Sequence, residues 1–361
     1  MHIPDGYISP QTAGGLWALV VPAWYAAGYK VRRTLDARQA PLIAIGAAFT
    51  FIIMMFNIPL PGGTTGHAVG GTIVAIVIGP WAAVIAVSVA LAIQALFFGD
   101  GGILALGANC FNIGFILPVT GYLTYRLIAR GAAEGSARRW IAAGVGGWTG
   151  LNLAALLTAV VFGLQGELYT AADGSALYSP YGLATAIPAM MVPHLAVAGV
   201  VEAVMTSLVY IFLQRTNPAL LQNYKTARAG GESRFELRPL IIGLALLLVC
   251  TPIGLLATGT AWGEWGADEV ADEVGYVPEG MDRYAGAWTG LLPDYGFPAG
   301  EEGESLGEGA AETAGVVSVD AARKSAPAYL VSGVVGLALA SVAALLSARF
   351  LFRGRQEGNR G

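Results

Sequence analysis

Seven stretches of this chain, near residues 13–29, 40–56, 108–125, 140–165, 183–214, 239–258 and 326–352, stay apolar long enough to cross a bilayer, for which a helix needs roughly 17 to 25 residues. An eighth, 70–98, is apolar but interrupted. Only 12% of the residues are charged, against about 25% in soluble domains. The expected fold is therefore an all-α polytopic membrane protein, and an ordinary soluble domain is excluded. The opening stretch to Pro10 is polar, carries Asp5 and has no basic flank, so it does not read as a cleavable signal and the protein is expected to keep its own N-terminus. The two cysteines, Cys110 and Cys250, sit inside apolar runs and are expected to be buried thiols without a disulfide or metal role.

Charge sets the expected topology. Lys30, Arg32, Arg33 and Arg38 fill one connection, Arg126, Arg130, Arg138 and Arg139 a second, and Arg215, Lys225, Arg228, Arg234 and Arg238 a third; Arg349, Arg353, Arg355 and Arg360 mark the tail. Those segments hold seventeen of the twenty basic residues, and the positive-inside rule puts them in the cytoplasm. The N-terminus is then extracytoplasmic and the C-terminus cytoplasmic. Parity requires an odd number of crossings between residues 57–69 outside and 126–139 inside. Two short helices in 70–98, broken at Gly79-Pro80, satisfy it, which predicts about nine transmembrane helices. The flanking-loop pattern offers no reason to expect a nucleic-acid partner; the lipid bilayer is the expected surroundings.

Candidate chemistry begins at Met1-His2, in a chain with only three histidines. The terminal amine, the His2 amide and the His2 imidazole can close two small chelate rings around one ion. His67, in a glycine-rich stretch that includes Gly62, Gly63, Gly66, Gly70 and Gly71, can supply a fourth nitrogen. Four nitrogens in a plane suit Ni(II) or Cu(II). Charge parity, which uses no metal argument, places both histidines outside. The competing readings are an incidental second residue for His2 and a polar helix start for His67. Because amine and imidazole must be deprotonated to bind, affinity should fall with pH. Asp5 either orients His2 or serves as a cap or loop residue. Asn109 and Asn112 read first as interhelical hydrogen-bonding residues and second as support for the site. His194 and Glu202, eight apart on one helix face, read as buried structural hydrogen-bonding groups ahead of a metal path.

No G-x-x-x-x-G-K-[ST] loop and no H-E-x-x-H motif occurs, so the chain neither binds ATP by a Walker motif nor carries a zincin site. Residues 1–214 form one expected module, 215–238 a polar basic cytoplasmic linker, and 239–361 a second module of two helices flanking an extracytoplasmic loop, 259–325. That loop carries fourteen acidic residues against three basic ones, and its stretch Ala299 to Gly315 is rich in Gly, Glu and Ala. It is expected to be solvated, partly mobile, and able to concentrate cations.

Several separated motifs agree in order with one family. Met1-His2-Ile3-Pro4-Asp5-Gly6-Tyr7, Gly62-Gly63-Thr64-Thr65-Gly66-His67, Asp100-Gly101-Gly102-Ile103 with Leu106-Gly107-Ala108-Asn109, and His194 with Gly199 and Glu202 resemble the M-type substrate-binding component of energy-coupling factor nickel/cobalt importers. Residues 239–361 resemble the small N-type accessory component, which makes the chain resemble an M–N fusion. The resemblance implies a square-planar site of the Met1 amine, the His2 amide and imidazole, and the His67 imidazole. It implies Ni(II) or Co(II) as transported substrate, and two partners: a transmembrane coupling component and cytoplasmic ATP-binding subunits. Leu117 stands before Pro118 where the pattern leads one to expect glycine, which bears on helix packing there. The alternative from another class is an autonomous transition-metal channel or secondary carrier. An intramembrane metalloenzyme would need an open coordination position, against which a filled four-nitrogen plane argues.

Overall fold

The computed structural model describes residues 1–35, 39–61, 64–221, 236–257, 259–297 and 319–357. The Gly62-Gly63 pair, Arg38, most of the basic linker and the Gly/Glu/Ala-rich part of the acidic loop lie outside the described residues. Helix α1 (Pro10–Thr34) starts where Ser9 caps it: the Ser9 hydroxyl accepts from Thr12 N, Pro10 occupies the first turn, and Arg32 and Arg33 close the last, the end where cations are favoured. Helix α2 (Ala40–Met54) leads into a hairpin, β1 (Ile58–Leu60) and β2 (Thr64–Gly66), with Pro59 opposite Thr65.

The apolar stretch after His67 breaks at the expected place but divides unequally. Helix α3 (Gly71–Ile78) stops at Gly79, whose φ of +87° is a glycine conformation, and α4 (Pro80–Phe98) restarts on proline. Eight residues rise only about 12 Å, less than half of a hydrocarbon core about 30 Å thick. Seven of the eight α3 residues are buried, and protein at that depth is what makes a broken helix tolerable in a membrane.

Helices α5 (Leu106–Ile128), α6 (Ala137–Leu168) and α7 (Leu183–Thr216) complete the larger bundle, and α8 (Leu237–Leu256) begins the second module. The last helix, α11 (Val319–Glu357), contains the apolar span Ser325–Phe352. Among the described residues, six helices are long and apolar enough to cross a membrane: α4 to α8 and α11. Apolar side chains such as Leu246, Val249 and Phe350 stay exposed on the outward faces. Small residues let the inner helices approach: a Cβ at Gly146 of α6 would stand 2.6 Å from the Gly121 carbonyl oxygen of α5. Leu117 is fully buried, and its bulk is received by Gly71 on α3, where a Cβ would lie 2.8 Å from Leu117 Cδ2. Three helices carry π-helical turns, at Gln94–Phe98, Cys110–Ile116 and His194–Ala198, a feature that gathers at functional sites.

The second module is docked on the first. In α11, Gly336 faces Phe51 of α2, and Tyr329 donates to the Met55 carbonyl at 2.6 Å. The first part of the acidic loop is more than a solvated connection. It forms α9 (Ala267–Val274) and α10 (Glu279–Tyr284) and closes over one end of the bundle: Trp262 N donates to Thr64 Oγ1 at 2.6 Å, Tyr7 OH to Trp265 O at 2.9 Å, and Gly280 N to Leu177 O at 2.7 Å. Cys110 is buried as expected, whereas Cys250 is exposed, because its helix presents that face outward.

Candidate metal centre

The polar start of the chain is threaded into the bundle rather than left in solvent. Met1, His2, Ile3 and Tyr7 are all at most 4% exposed, so this extended segment must find partners for its peptide groups. Asn109 on α5 supplies two: its Oδ1 accepts from Ile3 N at 2.8 Å and its Nδ2 donates to Ile3 O at 3.1 Å. Gly102 N adds a third bond to Ile3 O at 2.9 Å. Asp5 accepts from Ile103 N and Ala105 N at 2.9 and 3.1 Å, and a Cβ at Gly102 would overlap it. Asp5 thus ties the N-terminal segment to the loop 103–105 through these bonds. Burial raises its carboxyl above the usual range, with the backbone donors opposing. Ser9 N is taken by Gln165 Oε1 at 2.8 Å.

This anchoring presents Met1 and His2 to three groups. His2 Nδ1 contacts Asp100 Oδ1. The other Asp100 oxygen accepts from Tyr295 OH at 2.5 Å and from Gln94 Nε2 at 3.2 Å. Glu264 Oε1 accepts from the Met1 ammonium at 2.6 Å and from His2 N at 2.8 Å. The His67 ring lies 5.1 Å from the His2 ring, tilted by 44°. His2 Nε2 is buried without a hydrogen-bond partner. His2, Asp100 and Glu264 each direct a ligand atom within 4.8 Å of the others. That spacing can hold an ion.

The electrostatics follow from burial and from charge. His67 is pushed down to about 4 by burial, then by the positive charge of His2 and the N-terminus, so its imidazole is neutral and offers a lone pair at neutral pH. Burial alone would raise Asp100, but the charge and hydrogen bond of His2, joined by Tyr295, hold it well below the carboxylate range. Burial opposes ionisation of Glu264 as well, and the N-terminal ammonium and His2 outweigh it.

His67 is held through the residues that follow it. Glu202, fully buried on α7, accepts from Val69 N at 2.8 Å and Gly70 N at 3.1 Å. Glu202 thus acts as a buried hydrogen-bonding group whose partners are the loop amides beside His67 and not a second helix, at a point where Gly70 takes a φ of +74°. His194 is buried, and its Nδ1 meets Met190 O of its own helix at 2.7 Å. Asn112 does bridge helices, donating to Thr158 Oγ1 at 3.1 Å, and does not touch the centre. Sequence reasoning missed the roles of Asp100, Glu264 and Tyr295. Asp100 sits in a quoted motif, whereas Glu264 was one acid among fourteen in its loop.

Comparison with known proteins adds an independent line. Residues 2–220 match the family described as the cobalt uptake substrate-specific transmembrane region, CbiM, and residues 238–353 match the PDGLE domain. The fused nickel transport protein NikMN of Rhodobacter capsulatus is 48% identical, over 85% of this chain and 91% of that protein. The probable fused nickel transport protein LarMN of Lactiplantibacillus plantarum is 44% identical, over 78% and 84%. A crystal structure of a transition metal transporter is 51% identical with a TM-score of 0.58, covering 64% of this chain and all of that one.

Proposed function

Because the chain belongs to the cobalt-uptake substrate-specific transmembrane family, with a PDGLE domain behind it, we propose that it is the substrate-binding and translocating component of an ATP-driven Ni(II)/Co(II) importer, with nickel favoured. Its relatives are transport proteins, not enzymes. The observation that carries the reading is the meeting of the Met1 amine, the His2 amide and the two imidazoles at one buried place. The ion would sit in a square plane of those four nitrogens. Amide coordination requires loss of the His2 N–H proton, which Ni(II) in planar geometry drives more readily than Co(II), and geometry is where such selectivity arises.

The site would face the extracytoplasmic side and the C-terminus the cytoplasm, with nine helical passes, α1 to α8 and α11, of which α3 at eight residues would span only part of the bilayer. The break at Gly79 and the basic connections support that count. Residues 1–214 and 239–361 would be the binding and accessory modules, a division supported by the two matched ranges. Reorientation of the loaded component would be driven by a transmembrane coupling component and cytoplasmic ATP-binding subunits. A second reading has its own observation: the His2, Asp100 and Glu264 cluster offers a mixed nitrogen and oxygen site that needs no amide nitrogen.

Calorimetric titration of Ni(II) and Co(II) into the purified full chain, with and without N-terminal acetylation, separates them. The four-nitrogen reading expects nickel binding to be lost on acetylation; binding that survives it overturns that reading in favour of the mixed site. Uptake in proteoliposomes tests the coupling. Metal should enter only when coupling and ATPase components are present with ATP, and uptake by the chain alone would make it an autonomous channel or carrier.

A further inference from the structure

Glu264 belongs to the second module, yet one of its oxygens receives both backbone nitrogens that the proposed site assigns to the ion. Its position decides what it can be. The His2 N–H points at Oε1 over 2.8 Å, and the Met1 amine reaches the same atom over 2.6 Å. A deprotonated amide nitrogen donates along the direction its N–H bond had, so an ion would approach along the line that Oε1 now occupies. An ion about 2 Å from both nitrogens on that side would lie about 1 Å from Oε1, half the length of a metal–oxygen bond. The two cannot be there together.

From this we infer that Glu264 is an internal competitor of the transported ion: without the ion its carboxylate fills the site and latches the segment 259–297 over it, and the arriving ion displaces it as the ammonium and the amide each give up one proton to solvent and their nitrogens bind the metal. This rests on the four-nitrogen reading and adds to it how the site is regulated. Displacement of the carboxylate breaks the direct bridge between the N-terminal amine and the accessory module, so the state of the site is transmitted to that module. The rest of the N-terminal segment does not depend on Glu264. Ile3 is held by Asn109 and Gly102, and Asp5 by residues 103–105. Removing the carboxylate therefore leaves the Ile3 and Asp5 anchors in place and takes away one of the two carboxylates the ion must displace, Asp100 on His2 Nδ1 being the other. Glu264 also keeps a fifth of its side chain exposed, which gives a divalent ion a face from which to replace it.

The test uses the sign of one effect. Full-length wild type, Glu264→Gln and Glu264→Ala are titrated with Ni(II) by calorimetry, and backbone hydrogen exchange at residues 259–266 is followed with and without the metal. A competitor predicts that both variants bind Ni(II) more tightly, by about tenfold, the scale of one charge-assisted hydrogen bond. It also predicts that exchange in 259–266 rises when wild type is loaded, and in Glu264→Gln is already high without metal. Unchanged or weakened affinity, or exchange that falls on loading, overturns the proposal, since a ligand or a mere positioning group would behave that way. Acetylated wild-type protein separates the two readings. Binding that survives acetylation removes the four-nitrogen site itself, whereas binding lost on acetylation together with weaker binding by Glu264→Gln removes the competitor role alone.

Discussion

Glu202→Ala tests how His67 is placed. In wild type the carboxylate receives two peptide N–H groups, from Val69 and Gly70, in a region where both residues are buried. Truncation leaves two buried donors without an acceptor, each costing about 1–3 kcal/mol. The loop relieves that cost only by moving, and His67 moves with it. Metal binding must then restore the loop against at least about 2 kcal/mol, which is roughly a thirtyfold rise in Kd. Glu202→Gln keeps one oxygen able to accept from both amides and loses only the assistance of the charge, so its loss should stay below about tenfold. The assay is Ni(II) calorimetry on full-length protein with a native N-terminus, read beside thermal unfolding to confirm that each variant is folded. A folded Glu202→Ala protein with wild-type affinity refutes the positioning argument; if its metal uptake were lost nonetheless, Glu202 would act along the path of the ion and not at the site.

Substituting His2 or His67 by Ala should each abolish high-affinity nickel binding in the same titration, while His194→Ala, whose ring bonds Met190 O of its own helix, should keep it within about threefold, the spread of context effects on one neutral hydrogen bond. One residue inserted between Met1 and His2 should be as damaging as His2→Ala, since Ile3 is pinned and the added residue displaces the amine by up to about 3.5 Å; equal affinity would remove the amine from the ligand set. In metal-free protein, His67 binds its proton near 4 when folded and near 6.5 when unfolded. The unfolded chain therefore holds more protons between those values, and stability should fall as pH drops from about 6.5 to about 4; thermal unfolding should show this slope flattened in His67→Ala.

The sequence made the membrane class and the Met1, His2 and His67 grouping legible for different reasons. Apolar length is a local property, so the runs that became α5 to α8 and α11 could be read directly, whereas α4 lay in the interrupted stretch and the runs at 13–29 and 40–56 became α1 and α2, outside the six. The Gly79-Pro80 break was equally local, although nothing in the sequence said that α3 would be only eight residues long. The histidines stood out because there are only three. Supporting groups were harder. Asn109 and Glu202 were visible as polar residues in apolar runs, but a helix position does not reveal that the partner is a peptide group of Ile3 or Val69. Asp5 and Asp100 lie 95 residues apart in sequence, and their roles depend on how 100–105 folds back on the N-terminal segment. Glu264 was out of reach, because one carboxylate in an acidic loop gains its meaning only from docking.

The contact between Met1 and Glu264 joins residues 263 positions apart, and that has a consequence for how the protein is made. At roughly 5 to 20 residues per second, the N-terminal amine waits about 10 to 50 s before the carboxylate that will cover it has been synthesised. For the proposed four-nitrogen site, any step that frees the Met1 amine would have to act within that interval, because afterwards the residue is 4% exposed. A chain that docks before it is trimmed would carry a blocked amine in the centre of the protein. On the proposed site, the timing of synthesis would thus bear on whether each molecule can hold an ion.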